Sequence, residues 1–252
     1  MPSIRLLGPI ELRIGGQMAS LSAKDRALLA ALSLRVGQPI SIASLTDFVW
    51  DHGPPAKAAQ SIQSYVRRLR QHLGDQITLD DRGYALRVAP ETIDVACFNQ
   101  LFETACDLRR SDIDLCEETT ACALGLWRGT ALSGVDSFQA AHARNVLEET
   151  HLSTIELLLR CRLDRGDDGA VAADLRQLVI LHPTRAPFWA LLMVALYRGG
   201  RQHEALQAAK QAERQLGAQN AVLDLRSLET AILTQDPGLD ESLLLSTHAA
   251  AI

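Results

Sequence analysis

Between Pro54 and Gly74 the chain reads PPAKAAQSIQSYVRRLRQHLG, and no Asp or Glu lies between Pro54 and Leu73. Gln60, Gln63, Ser64, Arg67, Arg68 and Arg70 supply the donors and acceptors that match nucleic-acid edges. Arg pairs with guanine edges and phosphates, Gln with adenine, and Ser with either. Ile62, Val66, Leu69 and Leu73 recur at steps of four, three and four, which is one side of a 3.6-residue period. A helix that buries this stripe and shows Gln, Ser and Arg opposite is built like a reader of the major groove. Pro54 and Pro55 suit the start of such a helix and Gly74 its end. An ordinary surface helix with a solvated basic face has the same composition, so the flanking segments decide.

Those segments read as a frame for it. Ile4, Leu6, Ile10, Leu12 and Ile14 alternate with Arg5, Glu11 and Arg13. That period of two predicts short strands, broken at Gly8-Pro9 and closed by a Gly15-Gly16 turn. Ser22 with Asp25 resembles a capping box. The helix it starts carries Leu28, Leu29 and Leu32 inward and ends near Gly37. Ser41 caps a second helix whose apolar side is Leu45, Phe48, Val49 and Trp50. After Gly74 come two short β-runs, Ile77–Leu79 and Tyr84–Val88, joined by a turn over Asp80–Gly83 with Arg82 at its tip. Strands, three helices and a hairpin in that order predict a winged helix-turn-helix whose third helix enters the groove.

From Thr92 onward the pattern is helical, over 94–110, 114–127, 136–165, 168–182, 186–198, 201–216 and 221–234. LDRGDDGAVAADL (163–175) and LYRGGRQHEALQA (196–208) align at an offset of 33, with an alanine nine residues after each leading leucine. That is the spacing of tetratricopeptide helix pairs, in which a small residue sits at the helix crossing. The match is degenerate, and an irregular helical bundle is the other reading. The fold class expected is mainly α with a small β component: a winged helix-turn-helix followed by a tetratricopeptide-like all-α domain.

The composition narrows the chemistry. Hydrophobic residues make up 47% and aromatics 4% of the 252 residues, an aliphatic helical profile. No apolar run reaches the ~18 residues of a membrane span. The start, MPSIRLLGPIELRIGG, does not read as a signal peptide, so a cytoplasmic protein is expected. Cys97, Cys106, Cys116, Cys122 and Cys161 lack C-x-x-C spacing and are expected to be small buried thiols. No H-x-x-x-H pair, phosphate loop, G-x-S-x-G or H-E-x-x-H is present, so neither a metal site nor an enzyme is expected. Residues 1–93 hold 11 Lys/Arg against 8 Asp/Glu, while the remainder holds 14 against 22. The first part could approach a polyanion that would repel the second.

Seven segments in order, RLLGPIEL (5–12), AKDRALLAAL (23–32), LTDFVW (45–50), PPAKAAQSIQSYVRRLRQHLG (54–74), RGYALRV (82–88), LWRGTAL (126–132) and LMVALYRGGRQHEAL (192–206), carry a resemblance to a known family. From about residue 3 to 236 the chain resembles the Streptomyces antibiotic regulatory proteins, the SARP-type transcriptional activators. The resemblance implies an OmpR-type winged helix over 1–92 and a tetratricopeptide-like bacterial transcriptional activation domain over 93–237; the tail, 238–252, lacks strong periodicity and is expected to be flexible. It further implies an activator of a secondary-metabolite (antibiotic) gene cluster that binds direct repeats in double-stranded promoter DNA as a homodimer. RNA polymerase holoenzyme is the implied partner, with no cofactor and no membrane.

Carried over position by position, the family's recognition contacts fall on Gln60, Ser64, Tyr65, Arg67, Arg68 and Arg70, and the wing contact on Arg82. On chemical grounds Ser64 and Arg68 suit base edges, while Lys57, Arg67, Arg70 and Arg82 suit phosphates. Tyr65 has two readings, a DNA contact or packing against the domain. Arg67 and Arg68 both lie off the apolar stripe, so their replacement by Ala is expected to leave folding almost unchanged. Asp80 and Asp81 on the wing, and Asp25 where relatives tend to carry Gln, depart from the family pattern. Two rivals are a response-regulator output domain, for which no βα receiver pattern exists, and a tetratricopeptide scaffold whose N-terminal module binds protein.

Overall fold

The alternation that opens the chain folds into a three-stranded antiparallel sheet in the computed structural model, which describes residues 2–51, 53–217 and 221–240. Strands β1 (Pro2–Arg5) and β2 (Glu11–Ile14) pair with Ile4 opposite Leu12, and both side chains are fully buried. Gly15 and Gly16, at φ 57° and 86°, make the two-residue turn into β3 (Gln17–Met18). Positive φ at both central positions is what a tight hairpin needs, which is why glycine fills both. The two-residue β3 is too short to carry an alternation, and the sequence did not predict it.

Three helices follow. Helix α1 (Ala23–Leu34) starts in a true capping box: Ser22 Oγ accepts from the Asp25 N–H at 3.2 Å, and the Asp25 carboxylate accepts from the Ser22 N–H at 3.3 Å. Helix α2 (Ile42–Val49) is capped by Ser41 and buries Leu45, Phe48 and Val49. Helix α3 (Ala58–Leu73) begins later than the prolines suggested. Pro54 stands directly before Pro55, and a residue before proline is kept out of the α region. The Pro55 carbonyl instead closes a turn onto the Ala58 N–H.

Strands β4 (Ile77–Asp80) and β5 (Gly83–Leu86) form the expected hairpin. Asp80 Oδ1 accepts from the N–H groups of Arg82 and Gly83 and so shapes the tip. The hairpin is tied to the segment before α2 by a reciprocal pair of hydrogen bonds between Ile40 and Tyr84. Gly83 is at φ +137°, and a Cβ there would lie 2.0 Å from the Ile40 carbonyl oxygen. No other residue type fits that approach.

Contacts group residues 1–103 with 122–152 in one unit and 104–121 with 153–252 in another. This division falls elsewhere than a cut at residue 92, and the first unit shows why. Asp94, at the start of α4 (Asp94–Leu108), accepts the N–H groups of Leu6 and Leu7 on its carboxylate. Burial pushes its carboxyl up, against the pull of those hydrogen bonds. The segment after α5 (Ile113–Leu124) then runs along β1's continuation, with Arg128, Leu132 and Ser133 donating to the carbonyls of Leu7, Leu6 and Gly8. Arg128 Nη1 reaches Glu11 at 3.1 Å. Phe98, Leu132, Val135 and Leu147, the last from α6 (Phe138–Asp164), join Leu28, Leu32 and Ile62 in one core.

The second unit is helical. Helices α7 (Asp168–Leu181), α8 (Ala186–Arg198), α9 (Gln202–Leu216) and α10 (Ala221–Thr234) pack successively. The two alanines related by the 33-residue offset, Ala172 and Ala205, are both fully buried. A glycine at positive φ turns each corresponding junction, Gly166 at 86° and Gly200 at 72°. Cys116 and Cys161 are buried with their sulfurs 3.4 Å apart, but Cys97 and Cys106 are half-buried and Cys122 is exposed. Burial as a general expectation therefore fails for three of the five thiols, because a helical position can face either side. Of the expected flexible tail 238–252, residues 238–240 belong to a 3₁₀ turn (Pro237–Asp240) with Leu239 buried and its carbonyl held by Arg198. Residues 241–252 lie outside the described residues. Among the described residues no helix is long and apolar enough to cross a membrane, and no His, Cys, Asp and Glu group could hold a metal ion.

Candidate nucleic-acid interface

Helix α3 buries Ile62, Val66, Leu69 and Leu73 at 4% exposure or less. Packing of this stripe against α1 and α2 fixes the helix's roll, so the opposite side is set as well. Gln60, Ser64, Arg67 and Gln71 follow the same steps of four, three and four on that opposite side, and all four are exposed. Gln71 was missed as a candidate, although the spacing that marks the buried stripe would have found it. Lys57 is exposed at the N-cap, and no side chain caps that end of the helix. First-turn N–H groups left uncapped suit an anionic oxygen.

The individual side chains divide into free and committed. Arg67 has no partner among the described residues and stands in solvent. Ser64 Oγ donates back to the Gln60 carbonyl at 3.0 Å. Its proton is thus used within the helix, leaving its lone pairs to accept from a base amino group. Tyr65 is half-buried and packs on the core of the first unit, its ring 5.8 Å from that of Trp50. Packing is therefore the reading of Tyr65 with structural support. Lys24 also meets Trp50, donating to the Val49 carbonyl at 2.7 Å with Nζ 5.2 Å from the indole centroid.

Arg70 departs from its expected role on phosphate. Its Nε and Nη2 both donate to the Ile77 carbonyl, at 3.0 and 2.7 Å, and its guanidinium lies 5.9 Å from the Tyr84 ring. It braces the β4–β5 hairpin against α3. The helical period places Arg70 off the stripe, but it contains no information on what lies beyond the helix end. Arg82 does sit at the wing tip, 69% exposed, and pairs with Asp80 at 3.2 Å. The N–H of Arg82 on the Asp80 carboxylate, with the Arg82 guanidinium behind it, holds that carboxyl below its ordinary value.

Arg68 is held by a group 43 residues away. Its Nη2 donates to Asp25 Oδ1 at 2.7 Å and its Nε lies 3.1 Å from both carboxylate oxygens. Asp25 is 5% exposed at the side chain against 45% for Arg68. Ser22 Oγ donates to the same carboxylate at 2.6 Å. Burial raises the Asp25 carboxyl, but the hydrogen bonds from Arg68 and Ser22 outweigh it and hold the group below its ordinary value. Arg68 is raised in turn, chiefly by the hydrogen bond to Asp25. Its removal would strand a buried carboxylate, so the expectation that it is neutral for folding fails. The resulting surface offers a carboxylate-free helix face, flanked by a wing whose tip carries one Arg and two Asp.

Two family models match the chain. The one described as "Transcriptional regulatory protein, C terminal" covers residues 16–86, and the one described as "Bacterial transcriptional activator domain" covers residues 93–233. The chain is 36% identical over 244 residues to regulatory protein AfsR of Streptomyces coelicolor, covering 94% of this chain and 24% of that protein. It therefore spans about a quarter of AfsR's length. It is 31% identical over 260 residues to regulatory protein DnrI of Streptomyces peucetius, covering 95% of this chain and 94% of DnrI. Transcriptional regulator RedD of Streptomyces coelicolor is 32% identical, with 94% and 71% covered. Among solved structures, Mycobacterium tuberculosis EmbR, in a complex with a low-affinity phosphopeptide, matches with a TM-score of 0.89 at 27% identity. That match covers 99% of this chain and 68% of EmbR.

Proposed function

The chain belongs to the SARP family of transcriptional regulators, which are not enzymes, and from that premise we propose that it activates a secondary-metabolite gene cluster by reading promoter DNA. The observation that carries the reading is the outward stripe of α3, Gln60, Ser64, Arg67 and Gln71, on a helix without a single carboxylate. Arg68 and Lys57 flank the stripe. Arg82 contributes a phosphate contact from the wing, weakened by Asp80 and Asp81. Arg70 and Tyr65 act from within the protein, one on the wing and one on the core.

One winged helix with so few free cations makes few phosphate contacts, and affinity follows their number. Two copies on adjacent direct repeats, a homodimer on DNA, offset that weakness. The functional modules in this reading are residues 1–92 and 93–237. The second recruits RNA polymerase, and its helical repeat supplies a surface for it. A groove of about 610 Å³ runs between α7, α8 and α9, with Val179, Trp189, Leu192 and Ala208 along it and Arg176 and Arg214 at its margin. Such a groove accepts a partner helix by its apolar side. In this reading the protein acts at promoters, in the cytoplasm and at the nucleoid.

Selection of bound sequences from a random DNA pool at near-physiological salt tests the proposal, with Arg67→Ala alongside the wild type. Enrichment of a spaced direct repeat by the wild type is the expected result. A folded wild-type protein that enriches nothing would point instead to a scaffold whose N-terminal module binds protein.

A further inference from the structure

Unlike Arg67, Arg68 has its rotamer fixed before any ligand arrives, and unlike Arg70, which is spent on the Ile77 carbonyl, it is held by a carboxylate. The Asp25 carboxylate takes its Nε and one Nη2 hydrogen, the closest contact being 2.7 Å. The Tyr65 ring lies beneath its guanidinium, 4.7 Å from Cζ, and Trp50 stands behind Tyr65. Asp25 is itself immobilised, since it is the N3 residue of the α1 capping box and accepts from both Ser22 Oγ and the Ser22 N–H. Nη1 and the second Nη2 hydrogen remain, and together they form the end-on fork that matches the O6 and N7 of guanine.

A phosphate contact does not need this. Phosphate oxygens accept from many directions, and a flexible cation such as Arg67 or Lys57 finds them from several rotamers. Reading one base edge requires the fork in one place, and fixing it within the fold lowers the ordering cost of binding. We infer that Asp25, a buried residue of α1 that reaches no DNA itself, is a specificity-determining positioning residue, holding Arg68 end-on to a single guanine of the operator. The inference rests on α3 being the groove helix, as proposed above.

The test uses the full chain and the selected operator, with each G·C pair replaced in turn. Wild type, Asp25→Asn, Arg68→Ala, Arg67→Ala and the pair Asp25→Asn/Arg68→Ala are compared for affinity, salt slope and thermal unfolding. Arg68→Ala and Asp25→Asn should both lose discrimination at the same one pair, from roughly 10- to 100-fold to near unity. In each of them, the loss at that pair should exceed any change in binding to non-operator DNA. Arg67→Ala should weaken all sequences alike. The pair variant leaves no orphaned charge, so it remains a folded test if either single variant fails to fold. It should show the same lost pair and nothing more.

Asp25→Asn with full discrimination at every pair would overturn the inference. So would a loss spread evenly over all pairs and tracking the fall in unfolding temperature, which is what a purely structural role predicts. Failure of the underlying reading looks different. If Gln60→Ala, Ser64→Ala and Arg68→Ala all leave the selected sequence unchanged, α3 is not the groove helix.

Discussion

Along α3 four of sixteen residues are buried, whereas α8 buries nine of thirteen, from Phe188 through Leu196. Helix α3 is held by one apolar stripe and otherwise faces solvent. Helix α8 is enclosed on nearly all sides by its neighbours in the second unit. The difference separates two ways in which a sequence constrains a helix. In α8 almost every side chain is fixed by volume, because a close-packed interior tolerates neither a void nor an extra methylene. In α3 the stripe and Tyr65 are fixed by packing, and the remaining positions answer to charge, hydrogen bonding and whatever they contact outside. Substitutions along the two helices should therefore fail in different currencies, stability for α8 and recognition for α3.

The largest effect expected lies on α8. Phe188 is fully buried, and Phe188→Ala should cost about 3–5 kcal/mol. A chemical-denaturation midpoint measures it. A cost below about 1 kcal/mol would mean the site collapses on the cavity and the packing comparison is too strong. Helix α3, the proposed groove helix, belongs to the other unit, so the operator sequence selected by the surviving folded fraction should not change.

Much of this contrast was legible in the residues alone. The four-three-four spacing located the buried side of α3, and the 33-residue offset brought out Ala172 and Ala205, both fully buried. These are backbone periodicities, and burial follows them directly. What the polar side chains do with their ends was not legible. Arg68 meets Asp25 across 43 residues and Arg70 meets the Ile77 carbonyl across 7, contacts set by how elements approach. The same holds for Asp94 on the N–H groups of Leu6 and Leu7. Asp25 was visible as a cap and as an oddity, and only the fold makes it a partner. Gln71 was a different kind of miss, since the period that placed Gln60 and Arg67 reaches it as well.

A smaller effect, on α3 itself, would sharpen the comparison. Arg68→Ala should destabilise the first unit by about 1–2 kcal/mol, less than loss of a fully buried pair because Arg68 is 45% exposed. Its pH dependence identifies the cause. The Asp25 carboxyl is held below its ordinary value in the folded protein, so the pairing contributes fully above the unfolded carboxyl's pKa of about 3.9. It is lost as pH falls through the lower, folded value. The stability gap between wild type and Arg68→Ala should be constant from about pH 5 to 7 and close below about pH 4. A gap that did not shrink at all as pH fell from 5 to the acid limit of folding would show that Arg68 acts through packing on Tyr65 rather than through its charge.

The smallest effect on stability is expected at Arg67, which the sequence placed with Arg68 as equally neutral for folding. It is exposed and has no partner among the described residues, so Arg67→Ala should change stability by no more than about 0.5 kcal/mol. Its effect belongs to DNA. A lost phosphate contact weakens operator and non-operator sequences together and lowers the slope of log affinity against log salt by about 1. Measuring that slope for wild type and variant on one operator checks it. An unchanged slope with a changed base preference would make Arg67 a reader of bases and reverse the division of labour with Arg68. A fall in stability comparable to that of Arg68→Ala would mean that the outward side of α3 is not free of the fold, and the contrast with α8 would have to be drawn along other residues.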